Sequence, residues 1–304
     1  MALASARSEV AAGSENGSQP REAEAVCVSD EAIAAFVGRV REEGARLYRN
    51  LPWRNTRDPY AIWISEVMLQ QTQVARVLTR WERFMKRFPS IDALSAAAVA
   101  DVVDEWQGMG YNRRALAERA ADICSARCGG APTGVEALRA LPGIGDATAA
   151  GITAFSADAP CVYIETNVRA VFIHEFFPEA ERVTDKELRP LVERACPDEA
   201  VRGWYYALLD VGAHLKKTHA NPSRKAAAYT RQSAFEGSRR QKRAWVLREV
   251  MARPGLSTAE IHRSLNVAEL AAGRDRVSGE ELDSILAALS KEGFFSFADG
   301  GWRA

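Results

Sequence analysis

The sequence contains no apolar run that approaches the roughly 20 residues needed to cross a bilayer. Its amino-terminal stretch also lacks the apolar segment of a secretory signal. These two absences argue against a membrane or secreted protein. We therefore expect a disordered leader over residues 1–28 and a cytoplasmic location.

Cysteine is scarce, with five residues among 304 and none after Cys196. Only Cys124 and Cys128 are close, at a helical spacing. A site with two thiolates needs further metal ligands nearby, and the sequence around this pair offers no evident ones. Isolated thiols in a reducing compartment are the favoured interpretation, with a metal site as the alternative.

The chain has no net charge, because 40 Lys and Arg balance 40 Asp and Glu. The charges are unevenly placed, however. Residues 216–243 carry nine Lys or Arg against Glu236 alone. Such a local excess favours a polyanionic partner, and a solvated linker is the competing explanation.

Alternation of the β type is also missing from residue 29 to about 215, where apolar residues recur at helical spacing. Asp58 followed by Pro59 predicts one helix start, and a second helix is predicted from Thr72 to the stop at Pro89. Further helices are predicted over 91–106 and 112–130, and Thr184 with Glu187 predicts a capping box. Residues 29–215 thus predict an all-α body.

The pattern changes after the basic stretch, which we interpret as a linker over residues 216–240. Residues 241–304 predict three helices, with Ser257 as one cap and Ser278–Glu281 as a capping box. The final residues, "FFSFADGGWRA", predict strand, Asp-Gly-Gly turn and strand. Helix, helix, helix and hairpin indicate a winged-helix-like domain. Glu280, Glu281 and Asp283 oppose groove binding, so this domain packs on the body, binds protein, or touches DNA through Trp302 and Arg303.

The turn "LPGIGDATAAG" at residues 141–151 is the most informative loop of the sequence. Gly143 and Gly145 allow a sharp reversal that exposes backbone N–H groups at the start of the next helix. Such a turn can hold a DNA phosphate without reading the base sequence. An ordinary corner between two helices is the alternative, because Gly-x-Gly alone is a weak signal.

Two carboxylates are candidates for chemistry. Glu66, in "ISEVMLQQTQV", shares a predicted helix with Ile62 and Trp63, so burial would raise its pKa and suit it to donate a proton. Glu165, in "VYIETNVRAV", follows a short apolar run and precedes Asn167. The competing interpretations are an ion-paired residue at a helix edge for Glu66 and a solvated turn residue for Glu165.

Four segments, in order and spacing, resemble one family: "LPWRNTRDPYAIWISEVMLQQTQV", "WQGMGYNRRA", "LPGIGDATAAG" and "YIETNVRAV". They are similar to the MutY-type adenine DNA glycosylases of the helix-hairpin-helix, or endonuclease III, superfamily, over roughly residues 31–220. The resemblance implies a two-lobed helical body. It also implies excision of adenine, mispaired with 8-oxoguanine or guanine, from a base turned out of double-stranded DNA.

The resemblance also assigns site residues by position. Glu66 matches the acid that protonates the base, Glu165 stands where the family has an aspartate that stabilises the positive sugar, and Asn167 matches the asparagine beside it. The residues implied to contact DNA are Arg54, Arg57, Gln70, Gln71, Tyr111, Gly143 and Gly145. The charge of the basic stretch adds Lys216 and Lys217 to this group.

The sequence departs from the family in three ways. Glu165 carries one methylene more than aspartate, a displacement of about 1.5 Å that could re-tune, slow or abolish the chemistry. Ala147 stands where bifunctional relatives have a Schiff-base lysine, so we expect no strand cleavage. The four cysteines of the family's iron–sulfur cluster are absent, so we expect no metal and no cofactor; His214 and His219 are interpreted as surface residues.

The sequence therefore predicts a metal-free, monofunctional and monomeric DNA glycosylase of base excision repair, associated with the nucleoid. Mispaired adenine is the expected target. One alternative is a glycosylase for thymine or uracil opposite guanine. Another is a lesion-binding or regulatory DNA-binding protein whose active site has lapsed.

Overall fold

The structure is a computed structural model that describes residues 28–107, 109, 132, 134–231 and 234–303. The body comprises helices α1 (Asp30–Arg46), α2 (Pro59–Leu69), α3 (Val74–Arg87), α4 (Ile91–Ala96), α5 (Val99–Trp106), α6 (Val135–Arg139), α7 (Asp146–Ile152), α8 (Thr166–Phe176), α9 (Asp185–Ala195) and α10 (Val201–Thr218). The carboxy-terminal part comprises α11 (Arg239–Ala252), α12 (Thr258–Ala271), α13 (Gly279–Lys291), β1 (Ser296–Ala298) and β2 (Gly301–Arg303).

The body has two hydrophobic cores. One is formed mainly by α1, α8, α9 and α10, and the other by residues of α2 to α7. Helix α2 belongs to both, since Ile62 lies in the first core while Trp63 and Ile64 lie in the second. A helix that is apolar on all sides is buried on all sides, which explains why α2 runs through the centre of the body. Glu66 is the one charged residue of this helix.

Helix starts agree with the sequence where a cap determines them. Asp58 accepts from the Tyr60 N–H ahead of Pro59, as predicted. The helix predicted from Thr72 begins two residues later, after Gln71 has turned the chain with a φ of 54°. The single helix predicted over 91–106 is divided into α4 and α5, because Ala97 and Ala98 have extended backbones. The leader and the predicted helix over 112–130 lie outside the described residues.

The predicted helical hairpin is present between α6 and α7. Gly143 has a φ of 80°, a conformation that suits glycine, and Gly145 caps the start of α7. Leu138 and Ile144 anchor the hairpin in the second core. Polar caps define the later helices: Thr184 and Glu187 form the predicted capping box of α9.

The carboxy-terminal part shows the predicted order of three helices and a hairpin. Strands β1 and β2 pair antiparallel, with Phe297 opposite Trp302. Their core also contains Val103 of α5, so this part packs on the body, which was one of the three predicted roles. The winged-helix assignment itself stays a prediction. The predicted capping box at Ser278 is half formed, because the Glu281 carboxylate binds Lys242 instead of turning back.

The basic stretch is not a uniform linker. Lys216 and Lys217 lie in the last turn of α10, and a short 3₁₀ helix follows at Pro222–Lys225. Lys242 and Arg243 belong to α11, where they form ion pairs with Glu281 and Glu292 of α13. The expectation that the whole stretch serves phosphate by charge is therefore wrong for these two cations, whose charges are offset within the fold.

Within the described ranges, no helix has both the length and the apolar character of a membrane span.

Candidate active site

A cleft of about 1010 Å³ lies between the two cores of the body. Its walls come from the end of α2 and the turn after it, from α7, from the start of α8 and from α10. Ligand cavities in proteins commonly enclose about 300–1,000 Å³, so this cleft can receive a nucleobase with its sugar. The side chains at the centre of the argument all line it: Glu66, Tyr163, Glu165, Asn167 and Lys216.

Glu66 projects from the buried helix α2 into the cleft. Its Oε2 atom accepts a hydrogen bond from the Tyr163 hydroxyl at 3.0 Å. Burial is the largest influence and raises the pKa of Glu66 to about 8; the charge of Glu165 adds to this increase, while the bond from Tyr163 and the charge of Arg54 oppose it. A carboxyl group with this pKa holds its proton at neutral pH and can donate it.

Gly151 of α7 makes room for this carboxyl group. A Cβ atom at position 151 would overlap Glu66 Oε2 and come within 3.1 Å of the Tyr163 ring. Only a residue without a side chain therefore leaves the Glu66 carboxyl group where it is. This explains the glycine at the end of the segment "DATAAG", whose position in the sequence does not indicate a contact with Glu66.

Glu165 is the amino-terminal cap of α8, which answers part of the question that the sequence left open. Its Oε1 accepts from the backbone N–H groups of Asn167 at 2.5 Å and Val168 at 3.0 Å, and its Oε2 accepts from the Asn167 side chain at 3.3 Å. Burial is the largest influence and raises the pKa of Glu165, while these donors and the charge of Lys216 offset this increase only in part. Glu165 is thus a capping residue whose carboxylate lines the same cleft as Glu66.

Helix α10 is packed closely against the start of α8. A Cβ atom at Gly212 would overlap the Asn167 backbone oxygen, so glycine permits the approach. Asn167 is held by this contact and by its bond to Glu165. Lys216 follows Gly212 by four residues on α10 and is therefore directed along the same side of the helix, where it lines the cleft.

The surroundings of Arg54 argue against the predicted contact with DNA. Its side chain is buried and makes a bidentate ion pair with Asp210, with N–O distances of 2.7 and 3.0 Å. Its guanidinium group also lies 4.3 Å from the centre of the Tyr206 ring. A buried arginine with its charge paired in this way supports the wall of the cleft and does not reach a phosphate. Arg57, in contrast, is exposed and lies 3.3 Å from Asp158.

The polar residues after α2 lie at the mouth of the cleft. Gln70 donates to the Thr148 hydroxyl at 2.9 Å, which joins the end of α2 to α7. Gln71 is exposed and has a left-handed backbone, so it stands at the tip of the turn. Gly143 and Gly145 lie in the hairpin described above. Lys217 lines the cleft and is exposed, whereas Tyr111 lies outside the described residues.

Sequence reasoning missed several residues that build the site. They are Tyr163, which bonds to Glu66; Gly151 and Gly212, which permit close packing; and Asp210, which pairs with Arg54 and also with Arg49. A tyrosine two residues before Glu165 was visible, but its partner lies 97 positions away in the chain. A contact between residues so far apart in the chain leaves no periodic pattern in the sequence.

The residues available do not fit a four-thiolate cluster. The segment after α10 forms the 3₁₀ helix Pro222–Lys225, capped by the Asn221 side chain and tied to Val183 through Ala226. The sequence has no cysteine after Cys196. Among the residues that the structure describes, no group of three His, Cys, Asp or Glu side chains is placed to hold a metal ion.

The fold of the body is that of the helix-hairpin-helix DNA glycosylases. Over 60% of this chain, the structure is similar to that of a thermostable thymine-DNA glycosylase, with a TM-score of 0.54, 22% sequence identity and 87% of that chain covered. A non-covalent endonuclease III–DNA complex gives a TM-score of 0.52, with 16% identity and 85% of that chain covered. At these identities the likeness establishes the fold alone.

Sequence comparison identifies the domain. Residues 64–197 match the HhH-GPD superfamily of base excision DNA repair proteins. It is 34% identical over 168 residues to an adenine DNA glycosylase of Buchnera aphidicola subsp. Baizongia pistaciae, covering 54% of this chain and 48% of the relative. It is 36% identical over 169 residues to the adenine DNA glycosylase of Mycolicibacterium smegmatis, covering 54% and 58%. The chain thus spans about half the length of these relatives.

Proposed function

We propose that this protein is a monofunctional DNA glycosylase of base excision repair, which hydrolyses the N-glycosidic bond of a mispaired adenine opposite 8-oxoguanine or guanine. The observation that carries the proposal is the placement of Glu66 and Glu165 in one cleft, in two different environments. The names of the relatives support adenine as the base. DNA, as the partner, is supported by the HhH-GPD domain.

The two carboxyl groups divide the chemistry. Breaking the bond between base and sugar leaves electrons on the base and positive charge on the sugar. Glu66, protonated at neutral pH, donates its proton to a ring nitrogen of the base. Glu165, held by N–H donors at the start of α8, places negative charge near the sugar. A water molecule then adds to the sugar carbon, and Glu66, ionised after giving its proton to the base, takes the proton that this water loses.

The remaining residues position the DNA. Gln71, at the exposed tip after α2, enters the space that the extruded base leaves, with Gln70 fixed to Thr148 behind it. The hairpin at Gly143 and Gly145 holds a backbone phosphate, and Lys217 and Arg57 add exposed positive charge. No cofactor takes part, the working form is a monomer, and the protein acts at the nucleoid.

The test is base release at enzyme excess from four duplexes, containing A:8-oxoguanine, A:G, T:G and U:G. Release of adenine from the first two supports the proposal, and release only from the last two assigns the protein to thymine or uracil. Tight mismatch binding without any release would identify a lapsed, lesion-binding protein. Glu66→Gln is expected to lower the rate by about a hundredfold or more while DNA binding persists.

Glu165→Asp, measured beside the parent, tests the unusual glutamate. A lower rate means that the cleft is adapted to the longer side chain, because displacement by about 1 Å can cost on the order of a hundredfold. A higher rate means that glutamate is a handicap in an otherwise conventional site. An unchanged rate would show that Glu165 caps α8 without acting on the sugar.

A further inference from the structure

Lys216 faces the start of α8 because α10 is locked against it. Gly212 contacts the Asn167 backbone so closely that a methyl group would not fit, and this fixes both the spacing and the rotation of α10. One helical turn later, Lys216 lines the cleft together with Glu165. Its ammonium group is half-buried there, and the negative charge of Glu165 is the favourable charge that acts on it.

The other charged groups around Glu165 leave Lys216 with a specific task. From α2, Glu66 lines the same cleft, where the charge of Glu165 raises its pKa, and the charges of both carboxyl groups act on Tyr163. On α8 itself, Arg169 is occupied by Asp185 through two bonds of 2.7 Å. Arg49 is bound to Asp210. Lys216, by contrast, has no carboxylate within ion-pair distance in the described part of the chain.

We propose that Lys216 is a positioning residue that keeps Glu165 charged while Glu66 stays protonated. Two acidic groups that share one cleft cannot both ionise easily, and a neighbouring cation determines which of them carries the charge. Lys216 of α10 lines the same cleft as Glu165 and its charge acts on that carboxyl group, so it assigns the negative charge to the group that faces the sugar. The inference rests on the proposed function and specifies how that site is tuned.

The test compares the full-length parent with Lys216→Gln and Lys216→Arg, using single-turnover adenine release from an A:8-oxoguanine duplex between pH 5 and 9. Without the cation, Glu165 ionises at higher pH. The acidic limb, where the rate falls as the pH is lowered, is therefore expected to lie about one pH unit higher in Lys216→Gln than in the parent. At pH values below this limb the rate should be about tenfold lower than in the parent. Lys216→Arg retains the charge and is expected to keep the parent's limb.

Lys217→Gln is the matched control, since it removes the same charge from the adjacent, exposed position. It is expected to weaken DNA binding without moving the acidic limb. An acidic limb that stays in place in Lys216→Gln, or that moves equally in Lys217→Gln, would overturn the proposal.

A second measurement does not depend on base release. The carboxyl carbon of Glu165 can be followed by NMR in ¹³C-labelled protein without DNA, and assigned with Glu165→Gln. A higher titration midpoint in Lys216→Gln than in the parent supports the role of Lys216, even if the parent releases no base and the proposed function fails. Equal midpoints in the two proteins refute it.

Discussion

The Tyr163 hydroxyl donates a hydrogen bond to Glu66 Oε2 at 3.0 Å, and this bond joins the buried helix α2 to the segment that leads into Glu165. Tyr163 is itself buried, and its ring contacts Phe155 and Tyr205 edge-on. Burial, together with the charges of the neighbouring carboxyl groups, raises the pKa of Tyr163, so the hydroxyl stays a donor at any pH of interest. The acid of the site is therefore oriented by a rigid neutral group.

Tyr163→Phe is expected to shift the basic limb of the pH–rate profile for base excision to higher pH. The bond from Tyr163 lowers the pKa of Glu66, which is about 8 in the parent, so its loss lets Glu66 keep its proton to higher pH. At neutral pH the rate should fall severalfold, because the acid is less well oriented. Single-turnover rates between pH 6 and 10 provide the measurement.

The control for that change is Tyr60→Phe, which removes a buried hydroxyl bound to the Phe88 carbonyl oxygen at 2.8 Å, away from the cleft. It should cost about 1 kcal/mol of stability and leave the basic limb unmoved. An identical basic limb in Tyr163→Phe and the parent would show that the hydroxyl has no influence on the acid.

Glu66→Gln is expected to stabilise the protein against unfolding at neutral and alkaline pH. The ordinary pKa of 4.5 is raised to about 8 in the fold, so the protonated group favours the folded state. That stabilisation is complete below about pH 4.5 and is lost as the pH rises to about 8. Glutamine does not titrate and escapes this loss, which amounts to at most about 5 kcal/mol.

Urea denaturation of both proteins between pH 4 and 9 measures this effect. The free energy of unfolding of Glu66→Gln, relative to the parent, should increase through that range and level off above about pH 8. Parallel curves would mean that Glu66 is ionised with its ordinary pKa in the folded protein, and would remove it as the acid.

Local sequence signals predicted the helices and the hairpin because their causes are local. Asp58 before Pro59, Thr184 with Glu187, and the glycines of the turn at 143 and 145 act within a few residues of where they stand. The position of Glu66 was predictable for the same reason, since apolar neighbours on one helix imply burial. Glu165 was a candidate because it stands where the resembled family has a functional aspartate.

The surroundings of these carboxyl groups could not be predicted, because they depend on contacts between distant segments. The family resemblance implied that Arg54 contacts DNA, yet its side chain forms a buried ion pair with Asp210, 156 positions away. Lys242 and Arg243 of α11 were predicted to be available to phosphate, yet each forms an ion pair with a glutamate of α13. The sequence identifies a charged residue but does not show whether its partner is another residue of the protein or a group in the solvent.

Gly151→Ala is expected to lower the excision rate by about a hundredfold with little change in DNA binding. The added methyl group overlaps Glu66 Oε2, so the carboxyl group must move, and displacements of about 1 Å have effects of this size. Gly203→Ala is the matched control: position 203 is helical, exposed and has no atom near the added methyl group, so it should gain up to about 1 kcal/mol of stability. Equal excision rates in the two variants would show that the Glu66 carboxyl group tolerates displacement.

Ala147, which stands at the sequence position implied by the family resemblance for a Schiff-base lysine, lines the cleft, and its methyl group offers no nucleophile. We therefore expect the parent to release adenine without strand cleavage and without any complex trapped by borohydride. Ala147→Lys should gain such a trapped complex, because an amine at this point of the wall can condense with the sugar aldehyde. Denaturing gels of the protein and of the end-labelled duplex score both events. A complex trapped in the parent but lost in Lys216→Gln would show that the lysine of α10 is itself a nucleophile, and that water is not the only group to reach the sugar carbon.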